Sequence, residues 1–219
     1  MGQTETTAAA TATEKPTQTA MEFFQSSAGT WHSQRTTHHL PFRRSEMGGS
    51  AIQVEALSAG DDRVAEICKM HDIDPTEAAG GAYVQWSGAM QWDREDDENH
   101  AGSTVFAIVP DPADPTKGKM LRERGYAEIV PVAGQFEMDA EGGLTLITEY
   151  ETMSSIERFW FPSPDVRMRT STVKRFGGFS TATFCTENRL SAEPEPLEVD
   201  TKPVASEQPN QPFYSVFGW

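Results

Sequence analysis

The stretch "VRMRTSTVKR" (166–175) places Arg167, Arg169 and Ser171 at alternate positions. In an extended chain, alternate side chains share a face. Two guanidinium groups one strand repeat apart can each grip a carboxylate bidentately. Each such charge-assisted bond is worth roughly 1.5–3 kcal/mol. The preceding run "IERFWFPSPDV" (156–166) supplies Glu157. If 162–166 is a five-residue hairpin loop, Phe161 pairs with Arg167, Phe159 with Arg169 and Glu157 with Ser171. Glu157 then lies diagonally beside Arg169. Dry burial of two arginines with one carboxylate is strongly unfavourable. A wet pocket awaiting a dicarboxylate makes sense of them, with Glu157 left for a ligand N–H or a proton. The competing arrangement turns both arginines to solvent and Met168 to the core. Glu187 falls outside this group, because a two-residue Gly177-Gly178 turn pairs Phe176 with Phe179 and turns Glu187 to the other face.

An aromatic complement lies in "AYVQWSGAMQW" (82–92), where Trp86 and Trp92 share a face with Gly88 between them. Flat walls around a gap suit a planar conjugated ligand, and the same residues can also simply fill a barrel. "AGTWHSQR" contains Gly29-x-Trp31, similar to the first lipocalin signature, in which the Trp plugs a closed barrel end. Arg35 lies four residues on and shares the Trp31 face. The histidines are poor metal candidates, since His38 and His39 are adjacent and point oppositely on a strand, and no Cys is near. Cys185 is flanked by threonines and lacks a histidine, so it is a weak nucleophile. The GxxxxGK[ST], GxGxxG and GxSxG patterns do not occur.

These groups need a scaffold of strands. Ten strand-like runs cover 30–40, 50–57, 82–92, 103–109, 119–124, 128–138, 144–151, 155–161, 166–176 and 179–189, with turn signals between them. "MEFFQSSAG" suits a short leading helix. "DDRVAEICKMHDI" suits a second, capped by Asp61 or Asp62. The expected fold is all-β, a lipocalin-like up-and-down antiparallel barrel with one or two short helices. Such a barrel removes exposed edges and can enclose one small ligand.

The Thr/Ala-rich residues 1–20 suggest a disordered arm, 21–190 the barrel, and 191–219 an acidic, Pro-rich linker ending in the aromatic "PFYSVFGW". The 219-residue chain has a net charge of −15. Without 1–20 and 191–219, 26 acidic side chains still face 16 basic ones. That balance argues against nucleic-acid or anionic-membrane partners. It also makes four cations within nine residues (Arg167 to Arg175) more informative. "DREDDEN" (93–99) fits a solvated loop tip. Two distant cysteines fit a reducing compartment, and no segment is apolar enough to span a bilayer.

Together, "FFQSSAGTWHSQRTTHHL", "IERFWFPSPDVRMRTS" and "KRFGGFSTATFCTENR" resemble the S/U-type phycobiliprotein chromophore lyases, the CpcS/CpeS family, over most of 21–190. The resemblance implies a lipocalin-like barrel that binds a phycobilin, phycocyanobilin or phycoerythrobilin, as substrate. It implies delivery of that bilin to a cysteine of a phycobiliprotein α or β subunit as a thioether. It makes Arg167 and Arg169 propionate clamps, Ser171 their assistant, Glu157 the catalytic carboxylate at the pyrrole nitrogens, Trp86 a stacking wall and Arg35 a further polar contact. Family members acting as hetero-oligomers suggest a homodimer or a heterodimer with a related subunit. The implied setting is cyanobacterial cytoplasm rather than plastid stroma. A non-catalytic bilin carrier uses the same grip and is the alternative, and a fatty-acid carrier would leave Glu157 without a task.

Overall fold

The computed structural model describes residues 18–91, 93, 100–123, 132–149 and 151–190. Trp92, the acidic run beyond Asp93, and the two terminal stretches 1–17 and 191–219 lie outside these residues.

Ten antiparallel strands close into one up-and-down barrel, each bonded to its sequence neighbours and the last to the first. They are β1 (Gly29–His39), β2 (Arg44–Ser58), β3 (Gly80–Met90), β4 (Gly102–Pro110), β5 (Lys117–Arg122), β6 (Val132–Met138), β7 (Leu144–Glu149), β8 (Met153–Ser163), β9 (Val166–Arg175) and β10 (Gly178–Arg189). Two helices join them, α1 (Ala20–Ser27) and α2 (Asp62–Met70). No helix of the described residues is long and apolar enough to cross a membrane.

Helix α1 starts where Thr19 and Glu22 cap reciprocally, the Thr19 hydroxyl accepting from the Glu22 amide and the Glu22 carboxylate accepting from the Thr19 amide. It lies across one barrel end and drives Phe23 and Phe24 into an interior cluster with Ile108, Met120, Phe136 and Leu144. Trp31 closes the same end. It is fully buried, and its indole N–H donates to the Ser27 carbonyl at 2.8 Å. Helix α2, capped by Asp61, instead packs Val64, Ile67 and Cys68 on the outer wall, against Leu57, Ala107 and Leu121. Strand β5 is therefore buried on both faces, Met120 inward and Leu121 toward α2.

The hairpins flanking β9 differ in detail from the sequence expectation. Between β8 and β9 the open loop is only Pro164-Asp165, with Ser163 paired to Val166. A bulge between Trp160 and Ser163 absorbs the extra length and still brings Phe159 opposite Arg169 and Glu157 opposite Ser171. Between β9 and β10 the turn is Phe176-Gly177, both with positive φ (51° and 80°), and Arg175 pairs with Gly178. A second bulge, between Phe179 and Thr181, shifts the register by one. A one-residue shift exchanges the two faces of a strand. Glu187 consequently stands opposite Arg167, which corrects the expectation that it points away.

Candidate functional site

Above the α1-capped end, the barrel holds a cavity of about 230 Å³. Its apolar wall includes Phe24, Ile52, Val84, Trp86, Phe106 and Phe159. Its charged lining is four arginines, Arg35, Arg122, Arg167 and Arg169, against two glutamates, Glu157 and Glu187. The interior thus carries a surplus of two positive charges in a chain of net charge −15.

Both β9 arginines point inward. Arg167 is 5% exposed, and its Nε donates to Glu187 Oε2 at 2.5 Å. Its guanidinium lies over the Trp31 ring at 4.8 Å and nearer the closed end than Arg169. Burial pulls the Arg167 pKa below its ordinary value, and Glu187 opposes part of that pull. Arg169 Nη1 donates to Glu157 Oε1 at 3.1 Å. Its Nε is buried without a hydrogen-bond partner and lies 3.4 Å from Glu187 Oε1. For Arg169 burial opposes the charge, but the Glu157 and Glu187 carboxylates outweigh it, and the pKa is raised. Glu187 is fully buried, and the Ser33 hydroxyl donates to its other oxygen at 3.4 Å. The four charges form one alternating chain: Arg167, Glu187, Arg169, Glu157.

Arg35 on β1 enters the cavity as its spacing from Trp31 predicts. It meets no carboxylate of the described residues in an ion pair. Its Nε and Nη2 lie 3.0 and 2.6 Å from the Met90 sulfur, a weak acceptor. Burial lowers its pKa, and Arg169 adds to the effect. Gly48 makes this packing possible, since a Cβ there would sit 2.6 Å from the Met90 sulfur and 2.9 Å from Arg35 Nε. Trp86 also lines the cavity, lying across Gly102, where a Cβ would come within 2.6 Å of its ring. Ser171 shares the arginine face but is not among the cavity-lining residues.

Two charged residues of the site escape sequence reasoning. Glu187 is hidden by the bulge. Arg122 lies on a strand buried on both faces, so no polar–apolar alternation marks it. It is 4% exposed, its guanidinium sits 5.1 Å from the Phe106 ring centre, and Nη2 lies 3.4 Å from the Thr148 hydroxyl. Met120 two residues earlier, inward and apolar, is the signal that places Arg122 inside. Cys185 is buried between Arg35 and Arg169 in register. Burial pushes its thiol pKa up despite both arginines, so it is a poor thiolate.

The arrangement can hold a flat dianion, its acid groups on arginines and its faces on aromatic rings, with the Glu157 carboxylate available to N–H donors. Comparisons with known proteins agree in kind. A family described as "CpeS-like protein" matches residues 19–190. The Trichodesmium erythraeum "Chromophore lyase CpcS/CpeS 2" is 65% identical over 200 residues, covering 91% of this chain and 99% of that protein. The Picosynechococcus "Phycocyanobilin lyase subunit CpcS" is 60% identical, covering 91% and 97%. The solved S-type phycobiliprotein lyase of Guillardia theta superposes with a TM-score of 0.70 at 32% identity, covering 80% of this chain and 95% of that one.

Proposed function

The chain belongs to the CpeS-like family, and from that premise we propose that it is a phycobiliprotein chromophore lyase: it binds a phycobilin and transfers it to a cysteine of a phycobiliprotein subunit. One observation carries the reading, the surplus of two positive charges in a cavity with aromatic walls. A phycobilin brings two propionates and four pyrrole-type nitrogens on a flat conjugated backbone.

In this reading Arg167 and Arg169 grip the propionates, with Ser171 assisting one strand repeat beyond Arg169. Arg35, without a carboxylate partner among the described residues, is a further anion contact. Trp86 stacks on the pigment. Glu187 is a positioning residue, holding both β9 guanidinium groups against the wall through its two oxygens. Glu157, less enclosed than Glu187, accepts from pyrrole N–H groups and favours the protonated, more electrophilic bilin. The acceptor's thiolate then adds to the exocyclic ethylidene carbon. A C–S bond forms, the C=C electron pair moves to the adjacent ring carbon, and that carbon takes a proton. Nothing leaves and nothing is oxidised. The barrel's part is mainly positioning, by holding the bilin with its ethylidene end toward the acceptor. The setting is the cyanobacterial cytoplasm, where the substrate subunits are made. The word "subunit" in the name of the Picosynechococcus relative favours one variant of the reading, action together with a related chain.

Co-production of the full chain with a phycobilin and candidate subunits tests the proposal. Colour on a subunit that survives denaturation is the expected result. Colour that is lost on denaturation leaves a non-catalytic carrier.

A further inference from the structure

The open end of the barrel carries an unusual rim. The β1–β2 and β9–β10 tips are neighbours, because β1 pairs with β10 up to His39 opposite Thr181 and the residues 40–42 touch β10. Phe42 is 74% exposed, Phe176 88% and Phe179 54%. Interleaved with them are the exposed cations Arg43, Arg44, Lys174 and Arg175. None of the four forms an ion pair with a carboxylate of the described residues. Lys174 instead lies over the Phe179 ring at 4.7 Å.

The backbone adds a second observation. Phe176 and Arg43 both sit in the left-handed region, at φ 51° and 50°. Bulky side chains rarely adopt that conformation, and hold it at a cost. Phe176 gains no burial in return. A strained turn that projects a bare aromatic ring beside unpaired cations fits use of that ring by something outside the chain. A contiguous apolar patch rimmed by charge marks an interaction surface.

Resting on the lyase reading, we propose that this rim is where the acceptor phycobiliprotein subunit docks, and that it takes an acidic patch bordering the acceptor cysteine. Charge complementarity selects the occupant. The chain as a whole is at −15 and repels another acidic protein at long range, whereas these four cations attract one locally, which orients the encounter. The rim also borders the end of the barrel opposite the Trp31 plug, where a thiolate must enter to meet the pigment. The aromatic rings supply the desolvated contacts, and the cations supply register.

The test uses the full-length chain and a variant with Arg43→Glu, Arg44→Glu, Lys174→Glu and Arg175→Glu, none of which lines the cavity. Phycocyanobilin uptake is followed by absorbance titration. Binding to immobilised apo-phycocyanin and apo-allophycocyanin subunits is measured across a salt series. Uptake should stay within about twofold. Affinity for at least one subunit should fall at least tenfold, and wild-type affinity should itself fall with salt. If the reversed chain does not fold, the triple change Phe42→Ser, Phe176→Ser, Phe179→Ser must give the same selective loss. Unchanged subunit affinity in the variant overturns the proposal, as does wild type that binds none of these subunits. A change in sedimentation on reversal assigns the rim to a second copy. A tenfold gain in subunit affinity on deleting 191–219 assigns it to the chain's own tail. Either result also overturns the proposal. If wild type binds a subunit through the rim yet yields no denaturation-resistant colour, the lyase reading fails and the docking surface stands.

Discussion

At the α1 end of the barrel, Trp31, Phe23 and Phe136 are each at most 1% exposed and touch other apolar groups. At the opposite end, Phe42 and Phe176 are among the most exposed large apolar residues described. Between them β9 runs from Arg167, its second residue, packed against Trp31, to exposed Lys174 and Arg175. The two ends divide the labour. One end concentrates hydrophobic burial and closes the barrel. The other leaves apolar and charged groups unsatisfied within the molecule, which suits handling a ligand or a partner. Stability and function are thus separated along the barrel axis, with the Arg167–Glu187 pair at the border.

Variants at each level should break or sharpen that division. Trp31→Ala removes the plug and should destabilise the barrel by about 3–5 kcal/mol in urea unfolding. A loss under 1 kcal/mol would mean that the closed end does not carry the stability. At the border, Glu187→Ala strands the buried Arg167 guanidinium and leaves Arg169 with Glu157 alone, and should cost about 3 kcal/mol. Replacing the pair together, Arg167→Met with Glu187→Leu, should recover most of that stability while bilin uptake stays lost. Recovery of both would deny Arg167 its role. Inside the cavity, Arg169→Ala should weaken bilin binding tenfold or more, about 1.5–3 kcal/mol, and absorbance titration reads it directly.

Asp139 offers a smaller test at the closed end. Burial alone would raise its carboxyl pKa, but Arg158 and the amides of Gly143 and Glu141 outweigh burial and hold it below the ordinary 3.8. Its stabilising share is therefore full above the unfolded value near 3.8 and fades as pH falls through the lower folded value. Asp139→Asn should cost about 1 kcal/mol at neutral pH, and the gap to wild type should close in strongly acid solution. A gap that persists there would point to lost packing rather than lost charge. The smallest effect belongs to the rim. Phe176→Gly relieves a left-handed residue and should leave the thermal midpoint unchanged or slightly raised, since the ring is 88% exposed and buries almost nothing against the described residues.

Much of the scaffold is legible in the residue order. Ten strands and both helices overlap the runs expected for them, but β2 begins at Arg44 and passes through the Gly48-Gly49 pair read as a turn, and of the run 128–138 only Val132–Met138 lies within the described residues. The lipocalin-like Gly29-x-Trp31 does plug an end, and the inward face shared by Trp31 and Arg35 follows from period two. The expectation for 162–166 reached the right partners for Phe159 and Glu157 through the wrong loop, while Phe161, expected opposite Arg167, lies in the bulge. Pro164-Asp165 and a bulge give the same register as five open residues, because register depends only on the count of unpaired residues.

What the linear sequence determined by itself is the ladder of strands, the closed end and the sharing of one strand face by Arg167 and Arg169, while the closed barrel turned that face inward. The ladder, the closed end and the shared face follow from local alternation and turn chemistry, which need no knowledge of distant neighbours. Tertiary structure alone decided that Glu187 joins them and that Arg122 enters from across the barrel. A single bulged residue reverses every side chain beyond it, and whether a bulge forms depends on how the adjoining strands close, a condition no short stretch of residues contains.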